Sequence, residues 1–171
     1  TRILSITTTE TGKNMIIAAD NKKNIYNISD FSNSTSICVE GDVIECMPSK
    51  IYGNSVTLDE NSFVRKLDND ETIPSLSKIR TKISDVKADG TYCIESIVLK
   101  VPGRKEIQTK SGESISLSEM FVEDDTGQIW VKGWRNQARL IEKCELGEII
   151  SITGLNAKIN NYGEGRIELF L

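Results

Sequence analysis

Two tryptophans, Trp130 and Trp134, stand four residues apart with Lys132 midway between them, in the stretch Ile129-Trp130-Val131-Lys132-Gly133-Trp134. Period-two alternation puts both indoles and the lysine on one face of a β-strand, with Ile129 and Val131 on the other. They are the only tryptophans in a chain of 171 residues. If the apolar pair fills a core, the Trp-Lys-Trp face is left outward, where exposed indoles call for something to cover them. Such a face suits flat π-systems, with a cation alongside for an anion. Stacking of a nucleobase on an aromatic side chain contributes about 1–3 kcal/mol and tolerates any base. A single tryptophan on a strand is more often a core residue. Two in phase, with a lysine between and apolar residues behind, favour the outward reading.

Composition removes most other chemistry. The chain has no histidine, and its four cysteines (Cys38, Cys46, Cys93, Cys144) are widely spaced with no Cys-x-x-Cys. No zinc site is expected from that pattern, nor any histidine-based acid, base or nucleophile relay. No Gly-rich phosphate cradle is present either, so we expect neither an enzyme nor a bound cofactor or metal. Glu123-Asp124-Asp125 reads as turn-forming carboxylates rather than ligands, and the thiols as reduced and buried. No apolar run approaches the roughly 18 residues of a membrane span, and nothing resembles a signal peptide. The sequence opens at Thr1, without Met, and reads as a piece of something longer. Net charge is −4, unevenly spread: residues 1–74 carry −4, residues 75–110 carry +4, and residues 111–171 carry −4. One basic block sits between two acidic ones.

The apolar spacing is strand-like almost throughout, in short Val/Ile-rich runs broken by Gly, Asn, Asp and Ser. Only Arg135–Lys143 looks helical, with Ala138 and Ile141 one turn apart. The sequence also repeats itself. "MIIAADNKKNIYN" from Met15 resembles "MFVEDDTGQIWVK" from Met120, which pairs Tyr26 with Trp130. "CVEGDVIECMPSKIYGN" resembles "CELGEIISITGLNAKINNYGEG", and Val56-Thr57-Leu58 matches Ile167-Glu168-Leu169. The same parts recur in the same order, which indicates two copies of one small β domain. In the second copy, Thr91–Val101 is strand 1, Pro102–Ser114 a long loop, and Ile115–Asp124 with Gln128–Trp134 a hairpin. A short helix, then Glu148–Lys158 and Arg166–Leu171, complete it. Five strands with a helix between the third and fourth is the order of the oligonucleotide/oligosaccharide-binding (OB) fold. We therefore expect an all-β chain of two tandem five-stranded OB barrels: residues 1–68, a linker 69–90, and residues 91–171. The first barrel, whose "TRILSI" strand looks cut short, is expected to be truncated or variant.

In an OB fold the face of strands 2 and 3 and the loops 1–2 and 4–5 form the usual ligand surface. Phe121 is out of phase with Met120 and Val122 and joins the platform if those two are interior. Arg104, Lys105 and Lys110 lie on the expected loop 1–2, Tyr162 on loop 4–5, and Arg135 where strand 3 meets the helix. Arg135 can serve an anion or merely open the helix, and Tyr162 can equally turn inward. In the first copy Tyr26 and Tyr52 take the places of Trp130 and Tyr162, with Lys22, Lys23 and Lys50 nearby. A weaker second nucleic-acid site and a protein-contact barrel are equally open readings there.

The segments "GTYCIESIVLKV", "EDDTGQIWVKGWRNQA" and "LGEIISITGLNAKINNYGEGRIEL" resemble the single-stranded-DNA-binding OB domains of archaeal replication protein A. The resemblance covers roughly residues 77–171 and is specific in combination, although each motif alone is weak. It implies sequence-tolerant binding of single-stranded DNA in replication, recombination and repair, in a prokaryotic cytoplasm at the nucleoid. It also implies further OB domains or subunits as partners, with no membrane and no small-molecule cofactor. The family's aromatic at the end of strand 3 carries over to Trp134 and its basic loop 1–2 to Arg104 and Lys105. The zinc module of many members is lacking. The alternatives are an RNA- or tRNA-binding OB protein, or an OB pair whose outward aromatics pack on another subunit.

Overall fold

In a computed structural model of the chain, residues 1–100, 103–109, 111–160 and 165–171 are described. They form two compact units, Thr1–Ile79 and Arg80–Leu171. Both are built from strands, and no described helix is long and apolar enough to cross a membrane.

The first unit contains β1 (Arg2–Thr8), β2 (Asn14–Ala19), β3 (Ile25–Asp30), β4 (Val43–Met47), β5 (Lys50–Tyr52), β6 (Ser55–Leu58) and β7 (Phe63–Leu67), then one helical turn, α1 (Leu76–Ile79). The sheet order is β5-β6-β3-β2-β1-β4-β7. β1, β2 and β3 form an antiparallel meander, and β3 then pairs in parallel with β6. β4 and β5 together correspond to the fourth strand of an OB fold, interrupted at Pro48-Ser49, where proline has no N–H for the ladder. The opening strand is seven residues long and pairs along its length with β2. β7 is an extra strand on the free edge of β4. Ile3, Ile16, Ala18, Ile28, Ile44 and Leu58 fill the core.

Two polar clamps hold this unit's connections. Arg2 is only 9% exposed, and its guanidinium donates to the carbonyls of Ile73, Gly41 and Asp70 and to Asn69 Oδ1, at 2.7–3.0 Å. Residues 69–73, read from sequence as a free linker, are thereby tied to β1. Asp30 is buried at the end of β3 and accepts hydrogen bonds from Thr35 N and Oγ1 and from Ser32 N and Oγ. That pins the start of the helix-free connection to β4.

The second unit begins with a 3₁₀ turn (Ile83–Asp85) and contains β8 (Thr91–Val98), β9 (Gly103–Gln108), β10 (Ser114–Asp124), β11 (Gly127–Trp134), α2 (Asn136–Ile141), β12 (Ile149–Ile159) and β13 (Ile167–Phe170). β8 pairs with β10, β10 with β11, β11 in parallel with β13, β13 with β12, and β12 again with β8. That ring is a closed five-stranded OB barrel, with α2 between its third and fourth strands as expected. Ile94, Met120, Val122, Val131, Leu155 and Leu169 are its buried centre, joined by Ala138 and Ile141 from α2. Each such aliphatic side chain stabilises the fold by roughly 1.5–3 kcal/mol through burial. Ile83 and Val86, which the sequence left between linker and helix, belong to this core.

The expected loop 1–2 is a strand over most of its length. β9 pairs with the first half of β10 from Ser114↔Gln108 to Glu119↔Gly103, so β8 and β9 are two halves of one interrupted strand 1. The turn that remains is Thr109–Glu113, closed by a hydrogen bond from Thr109 N to the Glu113 carbonyl, with Gly112 at φ +82°. The same turn occurs in the first unit at Thr9–Lys13, where Gly12 has φ +77°.

Gly133 fixes how α2 meets the sheet. A Cβ built there lies 2.8 Å from both the carbonyl carbon and oxygen of Gln137. Substitution Gly133→Ala must therefore push the helix off β11. We expect it to lower stability by about 1–3 kcal/mol, the usual cost of overpacking, read as a reduced denaturant midpoint with little change in slope.

Candidate nucleic-acid interface

The geometry of the tryptophan face follows from one ladder. In the β10–β11 hairpin Met120 stands opposite Val131 and Val122 opposite Ile129, and all four are buried. The alternate pairs, Leu117–Trp134, Glu119–Lys132, Phe121–Trp130 and Glu123–Gln128, must then lie on the other face of the hairpin, where Leu117 alone is buried. Trp130, Lys132, Trp134 and Phe121 share one face as the sequence suggested, and each is half-buried. The Phe121 and Trp130 rings are 4.9 Å apart at 43°, within the range of favourable aromatic pairs. Lys100 Nζ sits 5.3 Å from the Trp130 centroid and 5.6 Å from that of Phe121. Among the described residues it has no carboxylate at ion-pair distance.

The face extends further than the sequence reading took it. Lys132 pairs with Phe170 on β13 while Val131 pairs with the buried Leu169, so Phe170 and Glu168 point outward. Lys158 Nζ lies 5.7 Å from the Phe170 centroid. The alternation Ile167-Glu168-Leu169-Phe170 carried the signal, since one buried leucine fixes the side of its neighbours.

The cations behave differently from expectation. Lys132 contacts Glu168 Oε2 at 2.6 Å and Glu119 Oε2 at 3.9 Å, and its side chain is only 16% exposed. Lys105 binds the other oxygen of Glu119 at 2.5 Å. Glu168 also accepts from Asn160 Nδ2 at 2.9 Å. A chain of alternating charge thus crosses the platform from β9 to β13, and Lys132 is held in it rather than standing free. Arg104 lies on the reverse side of the sheet from Lys105, because the two are adjacent in a strand. There it binds Glu106 at 2.8 Å and Glu142 at 3.5 Å. The Glu106 carboxyl is held below its ordinary value by hydrogen bonds from Arg104 first and Ser116 second. Arg135 follows Trp134 in a left-handed backbone conformation, φ +55° and ψ −115°, and is bound to Glu113 at 2.5 Å. For a non-glycine residue that geometry is strained. Tyr162 and Lys110 lie outside the described residues.

The first unit does not reproduce the platform. Tyr26 stands opposite Ala18, beside the Ile16–Ile28 pair, so it faces the core, and its hydroxyl donates to Asp20 Oδ2 at 3.1 Å. By register it occupies the place of Ile129. The counterparts of Trp130 and Phe121 are Asn27 and Ile17, and those of Lys132 and Glu119 are Ser29 and Met15. The expected pairing of Tyr26 with Trp130 is off by one residue because the similarity matched Met15 to Met120, whereas by register Ile16 takes the place of Met120, and a slip of one flips every side chain. Lys22 and Lys23 are exposed in the β2–β3 turn, and Tyr52, 88% exposed, is at the β5–β6 turn beside Lys50. These four positions flank the strand ends and are not brought to one face with Tyr26.

Among the described residues no group of three or more Cys, Asp or Glu side chains is arranged to hold a metal. Asp124 is a turn former: it accepts from Thr126 N and Oγ1 and Gly127 N with one oxygen, and from Ile83 N with the other.

No protein-family model matches the chain. Replication factor A of the archaeon Methanothermobacter thermautotrophicus is 25% identical over 127 residues, which span 73% of this chain and 16% of that protein. The resemblance read from the sequence therefore stands. This chain is similar to archaeal replication protein A. The second OB-fold domain of replication protein A from Methanococcus maripaludis is also 25% identical, over 53% of this chain and 87% of that one, with a TM-score of 0.45. Over 99% of the chain, and 88% of the other, the fold is shared with a murine DNA-binding protein solved with double-stranded DNA, at TM-score 0.61 and 14% identity. The all-β, tandem OB architecture is thus common to known structures, while the chain spans only about a sixth of the length of its archaeal relative.

Asp124 generates a prediction about the hairpin that carries the face. Burial opposes its ionisation, but the hydrogen bonds from Thr126, Ile83 and Gly127 outweigh that, leaving its pKa below the ordinary carboxylate value. A lowered folded-state pKa contributes stability that is fully present above the unfolded value, about 3.9, and lost as pH falls through the folded one. The Tm difference between wild type and Asp124→Ala should be constant from neutral pH to about pH 5 and should narrow below about pH 4. A difference independent of pH would contradict this assignment.

Proposed function

We propose that the chain binds single-stranded DNA without strong sequence preference, and that the outer face of β10, β11 and β13 is the binding surface. The observation that carries this is the in-phase outward display of Trp130 and Trp134, with Phe121 against one indole. The similarity to archaeal replication factor A supports a role in replication, and by extension in recombination and repair. Binding, with no chemical step, is then the whole activity.

Bases stack on the indoles, each contributing about 1–3 kcal/mol. The two Cα positions are separated by four residues, about 13 Å along an extended strand, so the platform addresses more than one base at once. Lys105 and Lys100 are the exposed cations nearest to it, and a phosphodiester backbone is the anion they suit. Unpaired bases are required, because a duplex offers its base faces to nothing outside the stack. The first unit, with no aromatic at the counterparts of Trp130 and Phe121 and only the exposed Phe31, beside Lys13, at that of Trp134, contributes less. Tyr52 and the lysines at its turns are its candidate contacts, and exposed Met47 and Phe63, opposite each other on β4 and β7, keep a protein-contact role open for it.

Intrinsic tryptophan fluorescence tests the proposal. The titrant is an oligo-dT of about 25 nucleotides, longer than one module's roughly 4–16-nucleotide site. We expect saturable quenching, weakened by about 10- to 100-fold in Trp134→Ala or Trp130→Ala, and changed less than about threefold in Tyr52→Ala. The matching ribo-oligomer and a blunt hairpin duplex complete the set. Stronger binding of RNA points to 2′-hydroxyl recognition, and equal binding of the duplex would remove the stacking mechanism. No quenching by any of the three would make the face a protein interface.

A further inference from the structure

Every described cation that the sequence assigned to DNA in the second unit is occupied by a carboxylate of the same chain. Lys105 and Lys132 share Glu119, Lys132 also holds Glu168, Arg104 holds Glu106, and Arg135 holds Glu113. Three of these carboxylates lie away from the indoles or deep in the sheet. Glu119 does not. It lies opposite Lys132 on the face that bears Trp130 and Trp134, and one of its oxygens binds Lys105, whose side chain is 59% exposed.

We propose that Glu119 sets the affinity of the platform by standing where a backbone phosphate would bind. This rests on the reading of the face as a single-strand surface. A phosphodiester arriving over the indoles meets Lys105 already neutralised, and it must displace the carboxylate or share the ammonium with it. The displaced Glu119 would keep only its longer, 3.9 Å contact to Lys132, which Glu168 already neutralises, and would stand as an anion beside the DNA, so each exchange returns little electrostatic free energy. Like charges also repel most strongly where water is partly excluded, as it is around a carboxylate whose side chain is 20% exposed. Glu168 has a different part. Its side chain is 9% exposed and bonded to Lys132 and Asn160, and so holds the lysine in the network. Glu119 is thus the removable member of the network and Glu168 the structural one.

The substitution Glu119→Gln keeps the shape and a hydrogen-bond acceptor while deleting the charge. With oligo-dT as probe, we expect binding about three- to tenfold tighter at about 50 mM salt, with a log K against log salt slope steeper by roughly 0.7–1.4, one or two additional phosphates neutralised on a single strand. Glu106→Gln is the control. It makes the same change in net charge on the reverse of the sheet, where Arg104 keeps Glu142, and should alter affinity by less than about twofold and leave the slope unchanged.

Equal strengthening by both variants would show a long-range charge effect and overturn the proposal, as would an unchanged or weaker Glu119→Gln while wild type binds. If wild type and Glu119→Gln both fail to quench with oligo-dT, the single-strand reading fails and this inference with it. Matching thermal midpoints for the three proteins guard against an effect of folding.

Discussion

The second unit depends on the register of a single hairpin. Met120 against Val131 and Val122 against Ile129 place four apolar side chains in the barrel centre, and a pleated strand leaves no freedom over the rest. Once those pairs are inside, the two tryptophans, Phe121 and the Glu119–Lys132 pair are outside. Slipping the register by one residue would bury Lys132 and Glu119 in the core and expose Val131 and Met120, at a cost in desolvated charge that no local rearrangement repays. The turn that enforces this register is built around Asp124, and Ile83 packs on it from before β8. The core sets the display, and the turn locks the core.

Much of this was legible from the residues. Strict alternation in β11, the phase of Phe121, and Ala138 and Ile141 on the inner side of α2 all follow from one-dimensional patterning, because each lies in an element with one wet face and one dry face. β9 was not legible. Gly103–Gln108 carries little apolar alternation since nearly all of it is exposed, and a strand wet on both faces looks like a loop. The Tyr26 equivalence failed for a different reason. Sequence similarity matched Met15 to Met120, but the register puts Ile16 there, so both strands of the first hairpin were read one residue out and every side chain was assigned to the wrong face. The ion pairs were illegible altogether, since Lys105 and Glu119, or Lys132 and Glu168, are brought together only by cross-strand pairing.

The two units show how far one scaffold can be re-equipped. They share the strand order and the Thr-x-x-Gly-x turn, yet the outer face of β2 and β3 has Ile17, Asn27 and Ser29 where that of β10 and β11 has Phe121, Trp130 and Lys132. What the first unit invests in is internal fastening. Arg2 gathers three acceptors from the chain that follows the last strand and a fourth, the Gly41 carbonyl, from just before β4, and Asp30 gathers donors from the connection after β3. A buried guanidinium with its hydrogen bonds made is tolerable, while one stripped of them is costly. These clamps settle the path of segments that have little apolar surface of their own.

If the face binds nucleic acid as proposed, the balance of charge and stacking decides which kind suits it. A face of free lysines would attract any phosphate backbone, and duplex DNA presents the denser array of charge. Here the cations of the platform are largely matched by the chain's own carboxylates, and the chain as a whole carries −4. The attraction that remains comes from two indoles and the rings of Phe121 and Phe170, which act only on a base whose face is free. A paired base keeps both of its faces inside the helix. Holding electrostatics down therefore shifts discrimination from charge to stacking, and stacking is the term that separates single strands from duplexes.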